Sequence, residues 1–205
     1  MYNCYSVRGD KMEASFSKRV AAYVIDLTVI IMVLFLVSLV YNPDTHVFDE
    51  KMNDVALMYT SGDVSFNTYV RKVSSLYRQI DITNIFLNII NVMLVIVYFV
   101  IVPYFHNGQT IGKMVMKIKV RGINSQPLSL ISLFLRNLIV NGLLYMVLVI
   151  FLCLFVPSDI YFLVITFLGI LQISLCLVSA IMILYRKDRR GLHDLMAKTW
   201  VLDSK

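Results

Sequence analysis

Neither H-E-x-x-H nor G-x-S-x-G occurs in this sequence, so a zincin helix and a nucleophile elbow are both without their residues. Gly108-Gln109-Thr110-Ile111-Gly112-Lys113 has the glycines of a phosphate cradle but not the G-x-x-x-x-G-K-S/T spacing, which excludes a P-loop. Cysteine is sparse. Cys4, Cys153 and Cys176 have no metal-ligand spacing, and two lie inside apolar runs, so they read as small core residues and not as a disulfide framework. His46 and His106 fall in loops on opposite sides and cannot share a metal. No enzyme activity, catalytic residue, cofactor or metal is expected. Charge is also scarce, at 16% of residues, against 59% hydrophobic residues and a mean hydropathy of +0.75. A soluble interior of 205 residues cannot hold that much apolar surface, so the chain reads as a polytopic membrane protein. The net charge of +6 does not argue for nucleic acid, because the Lys and Arg residues sit mostly beside apolar segments.

Long apolar runs are what the sequence does have. From Val20 to Val40 almost every residue is aliphatic or aromatic and Asp26 is the only charge. At 1.5 Å per residue this run covers about 30 Å, one hydrocarbon thickness. A charge inside it costs about 2.5–3.5 kcal/mol, which aliphatics at roughly −0.3 to −0.6 kcal/mol each outweigh. Arg19 lies two turns before Asp26 on the same helix face, with its guanidinium at the surface and the carboxylate roughly 10 Å deeper. The run exceeds a signal-peptide core and no small-residue cleavage site follows, so it is read as a retained helix.

The spacing predicts four transmembrane helices over about 20–41, 82–105, 138–156 and 160–185, in a single domain over 1–205. Ser17 is the expected N-cap of the first. A polar extracytoplasmic insert, 42–81, contains Tyr69, Val70, Val73, Leu76, Tyr77 and Ile80 at helical spacing, which predicts an amphipathic helix on the membrane leading into the second span. Leu128 to Asn137 is amphipathic and feeds the third span from the interface. Lys117 to Arg121 alternates with period two, and Thr199 to Leu202 is a second short strand suited to pair with Met116 to Val120. The fold class is therefore an all-α membrane protein with a small cytoplasmic β-element. Basic residues crowd the side shared by both termini and the 109–127 segment, while acids dominate the insert; both termini are expected in the cytoplasm of a cell-membrane, multi-pass protein.

These directions bring Arg136, Asn137, Asn141 and Ser179 to the depth of Asp26. The acid then either pairs with Arg19 or Arg136 and pins the bundle, or is a protonatable transport group. Asn84, Asn88 and Asn91 form a stripe at i, i+4 and i+7 in the outer half, suited either to a hard cation or to interhelical packing. His193 and Asp194 follow the basic tail; as neighbours on a helix they do not face one another, so a turn that packs the tail is the expected role.

Arg19-Val20-Ala21-Ala22-Tyr23-Val24-Ile25-Asp26 resembles the first-helix motif of the RDD family of membrane proteins, named for one Arg and two Asp. Gly108 to Lys113 with the following strand is similar to its loop motif. Pro127-Leu128-Ser129 with Arg136-Asn137, and Arg190-Gly191-Leu192-His193-Asp194 through Thr199, are similar to its later motifs. Lys198 stands where the family often has Gly. The resemblance makes Asp194 the second aspartate and implies transport, with cation–proton exchange suggested for some members. The expected function is thus a transporter or transport subunit in the lipid bilayer, exchanging a monovalent cation for protons and working as a homo-oligomer. The rival is a non-transporting scaffold or assembly factor.

Overall fold

The computed structural model describes residues 13–41, 46–123 and 127–204. Helix α1 spans Phe16–Val40, and its N-cap is Ser15, whose hydroxyl accepts from the Lys18 amide. Ser17, the expected cap, lies two residues further on, inside the first turn, because Glu13 and Ala14 are already held in register with the C-terminal strand and set where the helix can begin. The expected breaker Asn42-Pro43 and the turn at Asn124 to Gln126 lie outside the described residues, as do Cys4, Arg8 and Lys11.

The insert folds as a helical hairpin of α2 (His46–Thr60) and α3 (Phe66–Thr83). His46, expected in a loop, is the first residue of α2. The apolar stripe of α3 packs on protein: Val73 and Leu76 meet Val55 of α2, with Tyr69, Phe48 and Phe162 around them. Ser74 joins the hairpin to the bundle by donating to the Ser158 carbonyl and accepting from the Phe162 amide.

After Asn84 the chain continues as α4 (Ile85–Ile96), a π-helical turn (Val97–Ile101) and α5 (Val102–Phe105). Pro103 has no N–H to give the Phe99 carbonyl, its helical acceptor, and that carbonyl takes the Asn137 amide at 2.9 Å instead. A short helix α6 (Ile111–Val115) then lies against α1. Helices α7 (Leu130–Val140) and α8 (Leu143–Phe155) meet at a 74° bend. The expected start of this span, near 138, is displaced because the break falls at Asn141-Gly142, where Gly142 takes φ 62°, the left-handed region glycine enters without strain. Helix α9 (Tyr161–Tyr185) follows the turn at Pro157, and α10 (Leu192–Met196) closes the tail. Among the described residues three helices are long and apolar enough to cross a membrane, or four when the bent pair is counted as one span.

The two expected strands, β1 (Ile118–Gly122) and β2 (Thr199–Asp203), do pair, and the structure sets them antiparallel with Val120 opposite Val201. Ile118, Val120 and Val201 turn inward onto Ala14 and Ala22, which seals the sheet to the start of α1. Lys198, just before β2, takes φ 50°, so the left-handed turn there is made by a lysine. A second core, with Ile30, Val95, Phe99 and Leu143, lies between α1, α4 and α8.

Candidate functional site

Ala22, Asp26 and Ile30 recur every four residues and form the buried face of α1. The 106–117 segment folds back onto that face. At Gly112 it comes so close that a Cβ would stand 2.1 Å from the Ala22 carbonyl oxygen, so only glycine fits. The approach brings the first turn of α6 to Asp26, which is 1% exposed. Its carboxylate accepts from the Tyr98 hydroxyl (2.7 Å), the Thr110 hydroxyl (2.6 Å) and the Gly112 amide (2.7 Å). Asp26 thereby caps α6 from another helix, while Thr110, the formal N-cap, turns its hydroxyl to Asp26. Neither arginine pairs with this acid. The expected Arg19–Asp26 and Arg136–Asp26 pairs do not form, because the donors that satisfy Asp26 are neutral and both guanidiniums reach the other aspartate.

Asp194 is fully buried. Arg19 Nη1 donates to its Oδ2 at 3.0 Å and Arg136 Nη1 donates to its Oδ1. The Gly191 amide and Thr199 hydroxyl add longer contacts of 3.3 and 3.4 Å. Arg19 also donates to the Ala14 and Val201 carbonyls, so one side chain joins α1, β2 and α10. Burial works to raise the Asp194 carboxyl, but Arg136, His193 and Arg19 outweigh it and hold it below the ordinary carboxylate range. His193, though adjacent in sequence, brings Nε2 to 3.4 Å from the same carboxylate. The expectation that the two neighbours stay apart fails because α10 is a single turn and both side chains are packed inward. Burial pushes the His193 imidazole down to about 3, with Arg136, Arg19 and Lys113 adding to the effect and Asp194 opposing it.

The Ser179 hydroxyl and His193 Nδ1 share a hydrogen bond of 2.6 Å. Ser179, His193 and Asp194 stand in the order of an acyl-transfer triad. The hydroxyl is covered, however: Ser179 is 3% exposed, and even a Cβ on Gly191 would lie 2.6 Å from it. An imidazole held so low is also a poor base at neutral pH. The chain of three is better suited to fixing the tail than to catalysis.

Between α1, α6 and α7, under the sheet, lies a cavity of about 170 Å³ bordered by Arg19, Asp26, Lys113, Arg136, Asn137 and Asn141, with His193 at its edge. A single water needs only about 10–15 Å³ of such space. Asn137 bonds the Phe99 and Leu133 carbonyls and accepts from Asn141 Nδ2, so its amide is fully engaged. Lys113 is half-buried, and its ammonium makes no hydrogen bond or ion pair among the described residues. Burial and the charge of Arg136 push it down to about 8, against the pull of Asp26 and Asp194. A wider depression of about 480 Å³ at the end of α2, near Asp54, Met58 and Asp63, is shallow and exposed and has no buried polar group.

Seven of the residues singled out from sequence thus converge: Arg19, Asp26, Arg136, Asn137, Asn141 and His193 border the cavity and Asp194 stands behind it. Asn84, Asn88 and Asn91 do not join them. Asn84 sits at the junction of α3 and α4, and none of the three amides makes a side-chain hydrogen bond among the described residues. Tyr98, Thr110, Gly112 and Lys113 were not separable from sequence as site residues. Their signals are faint: one hydroxyl in an apolar run, and a Gly two residues after a Thr in a basic loop.

The family model of the RDD family matches residues 13–198. An uncharacterized protein of Bacillus subtilis (strain 168), YckC, is 34% identical over 110 residues, covering 53% of this chain. The chain spans 56% of that relative's length, a little over half. No solved structure matches.

Proposed function

This chain belongs to the RDD family of membrane proteins, and from that premise we propose that it is a transport subunit handling a polar or charged solute at the cavity under the sheet. The observation that supports the reading is a roomy, ionisable-walled space beside the first span. Ionisable groups facing a cavity within a membrane domain commonly mark solute or proton paths, whereas a purely architectural ion pair closes on itself. Asp194 engages Nη1 of Arg19 and Nη1 of Arg136 in that way; the rest of the Arg136 guanidinium and the Lys113 ammonium, which border the same space as Asp26, have no acceptor among the described residues.

Asp26 is the group that takes a proton in this reading. A proton on it reverses or displaces one of the bonds to Tyr98, Thr110 and Gly112, so in this reading proton uptake is linked to the seating of α6 on α1. Cation–proton exchange would further ask a monovalent cation to sit among Arg19, Lys113 and Arg136, whose charges repel it. Proton-linked movement of an anion suits the wall better. Both termini and the sheet lie on the cytoplasmic side of the cell membrane in this reading, by the excess of Lys and Arg at that end, and a homo-oligomer completes the path that so few helices cannot enclose.

The test is proton flux into vesicles reconstituted with the purified chain, driven by sodium, potassium or phosphate gradients. Wild type is expected to move protons with at least one of them and Asp26→Asn to lose about tenfold or more of the rate. Equal flux from both proteins, or none from wild type, overturns the reading. Absence of flux with a partner co-purifying in fixed ratio moves the assignment to a scaffold.

A further inference from the structure

We infer that the cavity between α1, α6 and α7 binds a phosphoryl oxyanion, held by the ammonium of Lys113 and the unengaged edge of Arg136. The inference deepens the transport reading by naming the class of ligand, and it rests on that reading only for the choice of cavity.

Charge is the first ground. Arg19, Lys113 and Arg136 border the cavity as cations, while Asp26 borders it and Asp194 stands behind it as anions, which leaves one positive charge unmatched. His193, held far below its ordinary range, contributes none. Both oxygens of Asp26 are already occupied by Tyr98, Thr110 and Gly112, so the acid is turned toward those donors and is not free to neutralise Lys113 by contact.

Donor inventory is the second ground. Arg136 commits Nη1 to Asp194 and Thr199, and its Nε and Nη2 have no acceptor among the described residues. A guanidinium edge of this kind offers parallel N–H groups to two oxygens of one anion, and an ammonium beside it supplies a point charge to a third. A tetrahedral phosphoryl group has the oxygens to use both, where a carboxylate has only two. The cavity volume, about 170 Å³, is ample for such a group. Depth is the third ground. Arg19 lies in the first turn of α1, so the cavity lies near the end of a span, the part of a membrane domain nearest lipid phosphates and soluble anions.

Isothermal titration calorimetry on the full chain in a neutral maltoside detergent tests this, with inorganic phosphate and dihexanoylphosphatidylglycerol as ligands and dihexanoylphosphatidylcholine as control. At least one of the first two is expected to bind. Lys113→Gln, which removes a side chain without hydrogen-bond partners among the described residues, is expected to weaken binding about tenfold or more, and Lys113→Arg to restore most of it. Binding by the lipid alone assigns a headgroup; binding by inorganic phosphate as well assigns a free phosphoryl ligand. No heat with either ligand, equal affinity in Lys113→Gln, or equal binding of the phosphatidylcholine overturns the inference. Binding without flux removes the transport reading and leaves this one standing; flux without binding does the reverse.

Discussion

Two aspartates are buried in this protein and are stabilised by different means. Asp194 is neutralised by two guanidiniums, whereas Asp26 is held by two hydroxyls and an amide. Removing the first charge leaves Arg19 and Arg136 buried and facing each other. Asp194→Asn is therefore expected to cost about 3–5 kcal/mol and to abolish a monodisperse peak in size-exclusion chromatography. Asp26→Asn keeps one acceptor oxygen and is expected to cost about 1–3 kcal/mol, leaving a folded protein with a lower melting temperature. The pH response follows from His193. Its folded pKa lies below its unfolded one, so the unfolded state binds the proton more readily and stability falls as pH drops from about 6.5 toward 3. Asp194, also depressed, loses its contribution in the acid part of the same range and below it. Thermal melts between pH 7 and 4 are expected to fall for wild type, and to fall less for His193→Gln. The two acids were visible in the sequence, but their partners were not: Arg19 is seven positions from Asp26 and 175 from Asp194, and proximity along the chain favoured the wrong one.

The elements owe their arrangement to two glycines and a proline. Gly112 lets α6 lie on α1, and Gly112→Ala places a methyl against the Ala22 carbonyl. That change is expected to cost about 1–3 kcal/mol and to free Tyr98 and Thr110 from Asp26, read as lowered thermal stability and faster amide exchange in residues 106–117. Gly142 is different: a Cβ there would meet nothing nearer than 3.7 Å, so Gly142→Ala bears only the positive-φ strain of about 1 kcal/mol. A melting-temperature loss clearly larger for Gly112→Ala than for Gly142→Ala checks the distinction. Pro103, by withholding an N–H from Phe99, gives Asn137 its acceptor and ties α7 to the second span. That long apolar helices and a small two-stranded sheet would form was readable from periodicity. The 74° bend at Asn141-Gly142 was not, since its flanks are equally apolar and periodicity alone does not show where a helix turns.

At the scale of the whole molecule, polar chemistry gathers at one end and a helical hairpin at the other. Lys18, Lys113, Lys117, Lys119, Arg121 and the tail from Arg186 to Arg190 share the end with the sheet, and Asp49, Glu50, Asp54 and Asp63 lie on the hairpin. With the positive end in the cytoplasm, a cysteine introduced at Lys187 in a background without the native cysteines is expected to be shielded from a membrane-impermeant maleimide in intact cells, and one at Ser61 to be labelled. The reverse pattern overturns the orientation.

Residue order alone made legible the class of molecule, its long apolar helices, the small sheet and the residues that would be costly to bury, because each of these follows from local composition and period. Tertiary structure alone decided which carboxylate meets which cation, that α6 folds back to cap itself on Asp26, and that an unmatched lysine faces a cavity. Those outcomes depend on distances between segments far apart in the chain, and hydrogen-bond satisfaction in a low-dielectric interior selects among them only once the helices are in place.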